Sequence, residues 1–122
     1  MSETRLTFKE MCTKFDVTPR TLRYYEYIEL LTPERDGRSR FYHAREVARM
    51  KLIMRGRKFG FSLEDIRQWL DLYDPEKQNQ TQMKAWIELA DTQMEELVSR
   101  RDQIEEAITD LQALRDQVAS KL

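Results

Sequence analysis

All three glycines (Gly37, Gly56, Gly60) and all three prolines (Pro19, Pro33, Pro75) of this chain lie before residue 76. The 47 residues that follow contain no helix breaker, and their apolar side chains keep a 3-4 spacing. The series runs Met83, Ile87, Ala90, Met94, Leu97, Ile104, Ile108, Leu111, Val118, Leu122, with Arg101 and Arg115 in the same register. Such a pattern predicts one helix on the order of 60 Å long at about 1.5 Å per residue. A rod of that length cannot bury its stripe against the short segment before it. It needs a partner helix, most simply from a second copy of the chain, with Ile87, Met94, Leu97, Ile104, Ile108 and Leu111 in the seam. Packing on the preceding residues is the alternative, and it suits Trp86 and its neighbours best. Arg101 and Arg115 would be costly in a seam if unpaired. Acidic residues of the opposite helix can pair with them and so help set register or orientation.

The formal net charge of −1 hides a division. Residues 1–70 carry 15 basic and 10 acidic side chains, whereas residues 71–122 carry 6 and 12. The densest basic stretch, Arg35 to Lys58, has nine cations opposed only by Asp36 and Glu46. A local field of this sign suits a polyanion, although it also suits a plain solvated surface. The shift in charge and in breaker content puts a boundary near Asp74-Pro75, giving units 1–75 and 76–122. No run of about 18 apolar residues exists to span a membrane, and Met1 to Glu10 lacks the apolar core of a signal peptide. Cys12 is the only cysteine, which excludes an internal disulfide and a zinc site with two or more thiolates. A cytoplasmic protein is expected.

Within the first unit, helix starts are marked by local chemistry. Thr7-Phe8-Lys9-Glu10 reads as a capping box, followed by Phe8, Met11, Cys12 and Phe15 at helical spacing. Thr18-Pro19 supplies an N-cap and a first-turn proline for a helix to about Ile28. Asp36-Gly37 is a turn signal inside a small β-hairpin that continues through Arg38, Ser39, Arg40, Phe41 and Tyr42. A third helix is expected over Ala44 to Phe59 with Val47, Met50, Ile53 and Met54 inward. Ser62-Leu63-Glu64-Asp65 reads as a second capping box, opening a helix to about Tyr73.

Two short helices joined through Phe15 to Thr18 suggest a helix-turn-helix, whose second helix enters the DNA major groove. Leu22, Tyr25 and Ile28 share its inward stripe. Arg20, Arg23, Tyr24 and Tyr27 then fall on the opposite face, with Thr18 and Thr21 beside them near the helix start. Guanidiniums on such a face can meet guanine edges or phosphates in bidentate fashion, and hydroxyls suit phosphate oxygens. The hairpin follows as a wing bearing Arg38, Arg40 and Tyr42. Arg55, Arg57 and Lys58 end the third helix, close in sequence to a helix start able to hold a phosphate.

Thr21-Leu22-Arg23-Tyr24-Tyr25-Glu26, Leu30-Leu31 with Pro33, then Arg35, Arg40 and Tyr42, and finally Gly60-Phe61-Ser62-Leu63-Glu64-Asp65-Ile66 resemble the MerR family of bacterial transcriptional regulators. The resemblance covers about residues 5–73, with a long helix after it. It implies a mainly α fold: a winged helix-turn-helix domain and an antiparallel coiled-coil homodimer. It further implies binding of double-stranded DNA at a pseudo-palindromic operator, with distortion of an overlong promoter spacer so that RNA polymerase engages both promoter elements. Arg38-Ser39-Arg40, Lys51-Leu52-Ile53-Met54-Arg55-Gly56 and Asp71-Leu72-Tyr73-Asp74 resemble the branch that regulates branched-chain amino acid and fatty-acid degradation.

Metal-sensing relatives hold their ion with cysteines where this chain has Gln82, Met83 and Lys84, so neither a metal nor another cofactor is expected. Cys12 reads as a small core residue, and His43 as a cap or surface residue. A further C-terminal ligand domain is not expected. Any effector would then lie at the base of the rod, where Trp69, Tyr73, Trp86 and Ile87 line a pocket or simply pack together. No nucleophile with a base partner, phosphate-binding glycine loop or paired-carboxylate cleft marks an enzyme. A coiled-coil scaffold is the rival reading; it uses residues 83–122 and leaves the Arg20/Arg23 face and the wing without a role.

Overall fold

A computed structural model describes residues 5–122; residues 1–4, the start of the expected 1–75 unit, lie outside the described residues. The elements are β1 (Arg5–Thr7), α1 (Phe8–Phe15), α2 (Pro19–Tyr27), β2 (Glu34–Asp36), β3 (Ser39–His43), α3 (Ala44–Lys58), α4 (Leu63–Leu70) and α5 (Gln80–Ala119), with a 3-10 turn at Pro75–Lys77 before α5. The fold is mainly α: a winged helix-turn-helix head and one long C-terminal helix.

Caps fix the head's helices. Thr7 Oγ1 accepts from the Glu10 amide at 3.1 Å, and the Thr7 amide donates to Glu10 Oε1 at 2.9 Å. Both halves of the capping box are therefore present, and these bonds hold the Glu10 carboxyl below its ordinary range. Thr18 caps α2 by accepting from the Thr21 amide at 3.0 Å, with Pro19 in the first turn. Ser62 caps α4 through the Asp65 amide at 3.0 Å. The expected second capping box is only half made, because aspartate is one methylene shorter than the glutamate that normally returns the bond. This helix ends at Leu70, a turn earlier than expected.

Asp16 closes α1 in the left-handed region at φ 52°, and the chain turns directly into α2. The wing hairpin turns on Gly37–Arg38, between the paired residues Asp36 and Ser39. Gly37 has φ 64°, a value a tight hairpin turn requires and a side chain resists. Strand β1 was not expected from the sequence. It adds to the wing to give a three-stranded antiparallel sheet in the order β1-β3-β2, with Leu6 opposite Tyr42. The central strand is thus β3.

Met11, Leu22, Leu30, Leu31, Tyr42, Met50 and Ile53 are fully buried at the centre of the head. Helix α3 presents Val47, Met50 and Ile53 inward, with Met54 half-buried. Gly56 lets α3 approach α4: a Cβ there would lie 2.9 Å from Ile66 Cδ1. Reciprocal bonds join α4 to α5, Trp69 Nε1 to the Gln82 carbonyl and Gln82 Nε2 to the Trp69 carbonyl, each 3.0 Å. Trp86 packs edge-on to Phe61 and tilted against Trp69, at 5.7 and 5.6 Å between centroids. Gln93 Nε2 donates to the Phe59 carbonyl at 2.7 Å. Beyond this point α5 leaves the head and buries nothing within its own chain.

Candidate nucleic-acid interface

Helix α2 divides as its spacing predicts. Leu22 and Tyr25 are buried and Ile28 is half-buried, whereas Arg20, Arg23, Tyr24 and Tyr27 face solvent. Tyr27 is 83% exposed, which is costly for a large aromatic unless something covers it. Thr18 is occupied as the helix cap, and its hydroxyl also donates to Thr21 Oγ1 at 2.9 Å.

A groove of about 360 Å³ runs between this helix and the wing, lined by Thr7, Phe8, Lys9, Arg23, Arg38, Ser39, Arg40 and Phe41. Three arginines and a lysine therefore line one surface channel. The Phe8 ring stands between two of them, with the Arg23 and Arg40 guanidinium carbons 5.9 and 5.2 Å from its centroid. Arg5 on β1 stacks at 3.6 Å over Phe41 of β3. Stacking of this sort orients guanidiniums without neutralising them, which leaves the charges of Arg5 and Arg23 for an outside anion.

Behind the groove lies Glu26, whose side chain is only 7% exposed. It accepts a hydrogen bond from the Tyr42 hydroxyl and pairs with Arg40 Nε at 3.3 Å. Tyr42 corrects the sequence reading: it is fully buried and offers no hydroxyl to a ligand. Arg38 lies in the hairpin turn, and Arg40 and Tyr42 share one face of β3, but the inner end of that face turns into the core because β3 is the central strand. Burial and the Glu26 contact push its phenol pKa upward, so it stays a proton donor.

Arg57 and Lys58 are exposed at the end of α3 and line no part of this groove. Arg57 Nη1 donates to the Phe61 carbonyl at 3.0 Å, bracing the turn between α3 and α4. Sequence reasoning missed Lys9, Arg5 and the part played by Phe8. Lys9 was visible only as a residue inside a capping box, and Arg5 had no place until β1 was known.

At the base of the rod, Leu52, Arg55, Gly56, Trp69, Gln82, Met83 and Trp86 line a cleft of about 260 Å³. Trp69 and Trp86 are there, as expected. Tyr73 instead borders a separate groove with Arg45, Arg49 and Asp71, and Ile87 lies on the outer stripe. Cys12 is half-buried against the core, and burial raises its thiol pKa. His43 ends β3, precedes α3 without a side-chain cap bond, and contacts Glu34 across the hairpin. Among the described residues no group of three or more His, Cys, Asp or Glu side chains is placed to hold a metal ion. None of the described helices is long and apolar enough to cross a membrane.

Comparison with known families gives a match to "MerR HTH family regulatory protein" over residues 6–72, more than half of the chain. The chain belongs to the MerR family. A second family match, "MerR, DNA binding", covers residues 47–120. The chain is 46% identical over 56 residues to the HTH-type transcriptional regulator HmrR of Rhizobium leguminosarum, a match spanning 45% of this chain and 43% of that protein. It is 32% identical over 109 residues to the HTH-type transcriptional regulator ZntR of Escherichia coli, covering 87% and 70% of the two chains. A MerR-family transcriptional regulator from Bacillus cereus superposes with a TM-score of 0.73 at 25% identity, over 87% of this chain and 76% of the other. As a MerR-family member it is a DNA-binding transcriptional regulator, and the α2–wing groove and the bare rod can be read in that light.

Proposed function

We propose that this MerR-family regulator acts in the cytoplasm as a homodimer, with two heads (residues 1–75) on the halves of a pseudo-palindromic promoter operator. Residues 76–122 form the dimerisation unit, an antiparallel coil of two α5 helices. In each head α2 enters the major groove with Arg20, Arg23, Tyr24 and Tyr27, flanked by Thr18 and Thr21, while Arg38 and Arg40 of the wing reach the adjoining backbone. Arg57 and Lys58 make a separate contact further along the duplex. Distorting the spacer between promoter elements, at about a few kcal/mol, sets how RNA polymerase engages them. The role is regulatory and not catalytic.

The observation that carries this reading is the cationic groove between α2 and the wing. Its charge is oriented by Phe8 and faces solvent, in a chain that is otherwise slightly acidic. The decisive experiment is a salt titration of binding by fluorescence anisotropy, using a duplex selected from a random pool by the full-length protein. Affinity should fall steeply with salt, as release of several counterions requires. Negligible binding to every duplex at low salt would instead favour the scaffold reading. Sequencing DNA fragments bound in the cell identifies the operator, and genes of branched-chain amino acid and fatty-acid breakdown are the first to seek beside it.

A further inference from the structure

One buried anion lies directly behind the cationic groove of the head. Glu26 occupies the last turn of α2, where the helix dipole disfavours a carboxylate, and its side chain is nearly buried. A buried charge is tolerated only with partners, and among the described residues both partners of Glu26 belong to β3. Arg40 Nε lies 3.3 Å from one carboxylate oxygen, and the Tyr42 hydroxyl donates to the other. Residues 40 and 42 share a strand face, so one carboxylate on the recognition helix grips the wing at two consecutive positions of that face. On its other side Arg40 rests 5.2 Å over the Phe8 ring, the same ring that Arg23 approaches. Arg40 is thereby held between a carboxylate and an aromatic face. The contact is purely ionic: Nε faces the carboxylate without forming a hydrogen bond, and among the described residues none engages the two terminal nitrogens.

An arginine on a free hairpin samples many rotamers and attracts any polyanion equally. Pinned at one place relative to α2, it favours the duplex whose backbone fits that place. We propose that Glu26 is a positioning residue for DNA recognition: it clamps the wing to α2 and fixes Arg40 in the groove, converting general attraction for DNA into discrimination among sequences. The proposal rests on the groove being the DNA-contacting surface.

The test uses the full-length protein and two duplexes of equal length, a selected operator and a scrambled sequence, in anisotropy titrations across a salt series. Glu26→Gln keeps the size of the side chain and can still accept from Tyr42, but loses the charge that holds Arg40. Operator affinity should fall by about tenfold, while affinity for the scrambled duplex holds or rises slightly as a negative charge leaves the surface. In an Arg40→Ala background the same substitution should change operator affinity by less than about twofold, since its partner is gone. Tyr42→Phe, which spares the ion pair, should keep the operator preference. An unchanged preference in Glu26→Gln overturns the proposal, as does a loss that persists undiminished without Arg40. If Glu26→Gln no longer melts cooperatively, Arg40→Lys decides: the proposal requires it to lose operator preference with its salt slope intact, and full preference overturns it. Failure of the wild-type protein to bind either duplex is a different result, and strikes the DNA-contact reading itself.

Discussion

The head and the rod obtain their stability in opposite ways. In the head a carboxylate, seven fully buried side chains (the Tyr42 phenol among them) and three capped helices close on one another within about 70 residues, a common size for a domain that folds alone. The rod has regular helix geometry over 40 residues, yet none of them is buried, and Ile104, Ile108 and Leu111 are each at least 60% exposed. Local propensity and neighbouring charges shape such a helix, but do little to hold it: Arg100–Glu96 and Arg101–Glu105 are exposed pairs of the kind that contribute little. One region carries its own core, and the other carries half of one. The sequence divides its charge at the same place, with a basic head that can meet DNA and an acidic rod that tends to stay off it.

Breaking the half-core should therefore have the largest effect. Introducing Leu97→Asp with Ile104→Asp places two charges on each helix of the seam, and buried unpaired charges cost about 3–5 kcal/mol apiece. Sedimentation at micromolar concentration should report one chain where the wild type reports two. Operator affinity should fall at least a hundredfold, because the two heads no longer bind as a linked pair. Thermal melting followed through the fluorescence of Trp69 in the head and of Trp86, which packs on it from the foot of α5, should persist. A head that unfolds along with the rod would mean that the two regions are not separable as described.

The reverse manipulation acts on the head's surface. Arg23→Ala removes a groove guanidinium that, among the described residues, stacks near the Phe8 ring and makes no hydrogen bond or ion pair, so folding and dimer mass should be unchanged. Operator affinity should drop by about 1–3 kcal/mol, the usual range for losing one base or phosphate contact of this type. Measured together, the two variants separate association from recognition. An intermediate case is Gly56→Ala, inside the head. Its new methyl would lie 2.9 Å from Ile66 Cδ1 and 3.0 Å from Cγ1, and Ile66 is itself buried, so the contact cannot simply swing aside. Overpacking of this kind costs about 1–3 kcal/mol, readable as a lowered denaturation midpoint with dimer affinity retained.

What could be read in the sequence follows the same division. The caps at Thr7, Thr18 and Ser62 act across three residues, and the rod's stripe repeats for more than five heptads, so both are local signals. Strand β1 was hidden because three residues, Arg5–Thr7, carry no alternation worth reading; their pairing with Phe41–His43 lies far along the chain. Tyr42 was placed on the right strand face and at the wrong depth for the same reason, since a central strand cannot be recognised until its second neighbour is known. Glu26 and Glu46 were equally invisible. Carboxylates on short helices read as solvated, yet Glu46 is buried, accepting from the Thr32 amide at 2.9 Å and from Arg45 at 2.6 Å. Depth is a property of partners distant in sequence, and periodicity alone does not report it.

Arg101 gives the smallest expected effect and the sharpest view of the rod. It sits in the stripe between Leu97 and Ile104, near the midpoint of the series from Met83 to Leu122, where two antiparallel copies would bring their arginines close together. Within one chain it reaches Asp102 at 3.3 Å and Glu105 at 3.9 Å, which keeps its charge partly balanced. Replacing it with leucine completes the apolar seam, and the dimer should gain about 1 kcal/mol, as buried ionic groups exchanged for apolar ones often allow. The gain should come with lost selectivity. A leucine at this position no longer penalises a shifted pairing that sets the charge against apolar side chains, so cysteines introduced near opposite ends of α5 should cross-link in both registers where the wild type gives one. If Arg101→Leu instead weakens the dimer, the arginine is making a favourable pair with the other helix, and its role is adhesion rather than alignment.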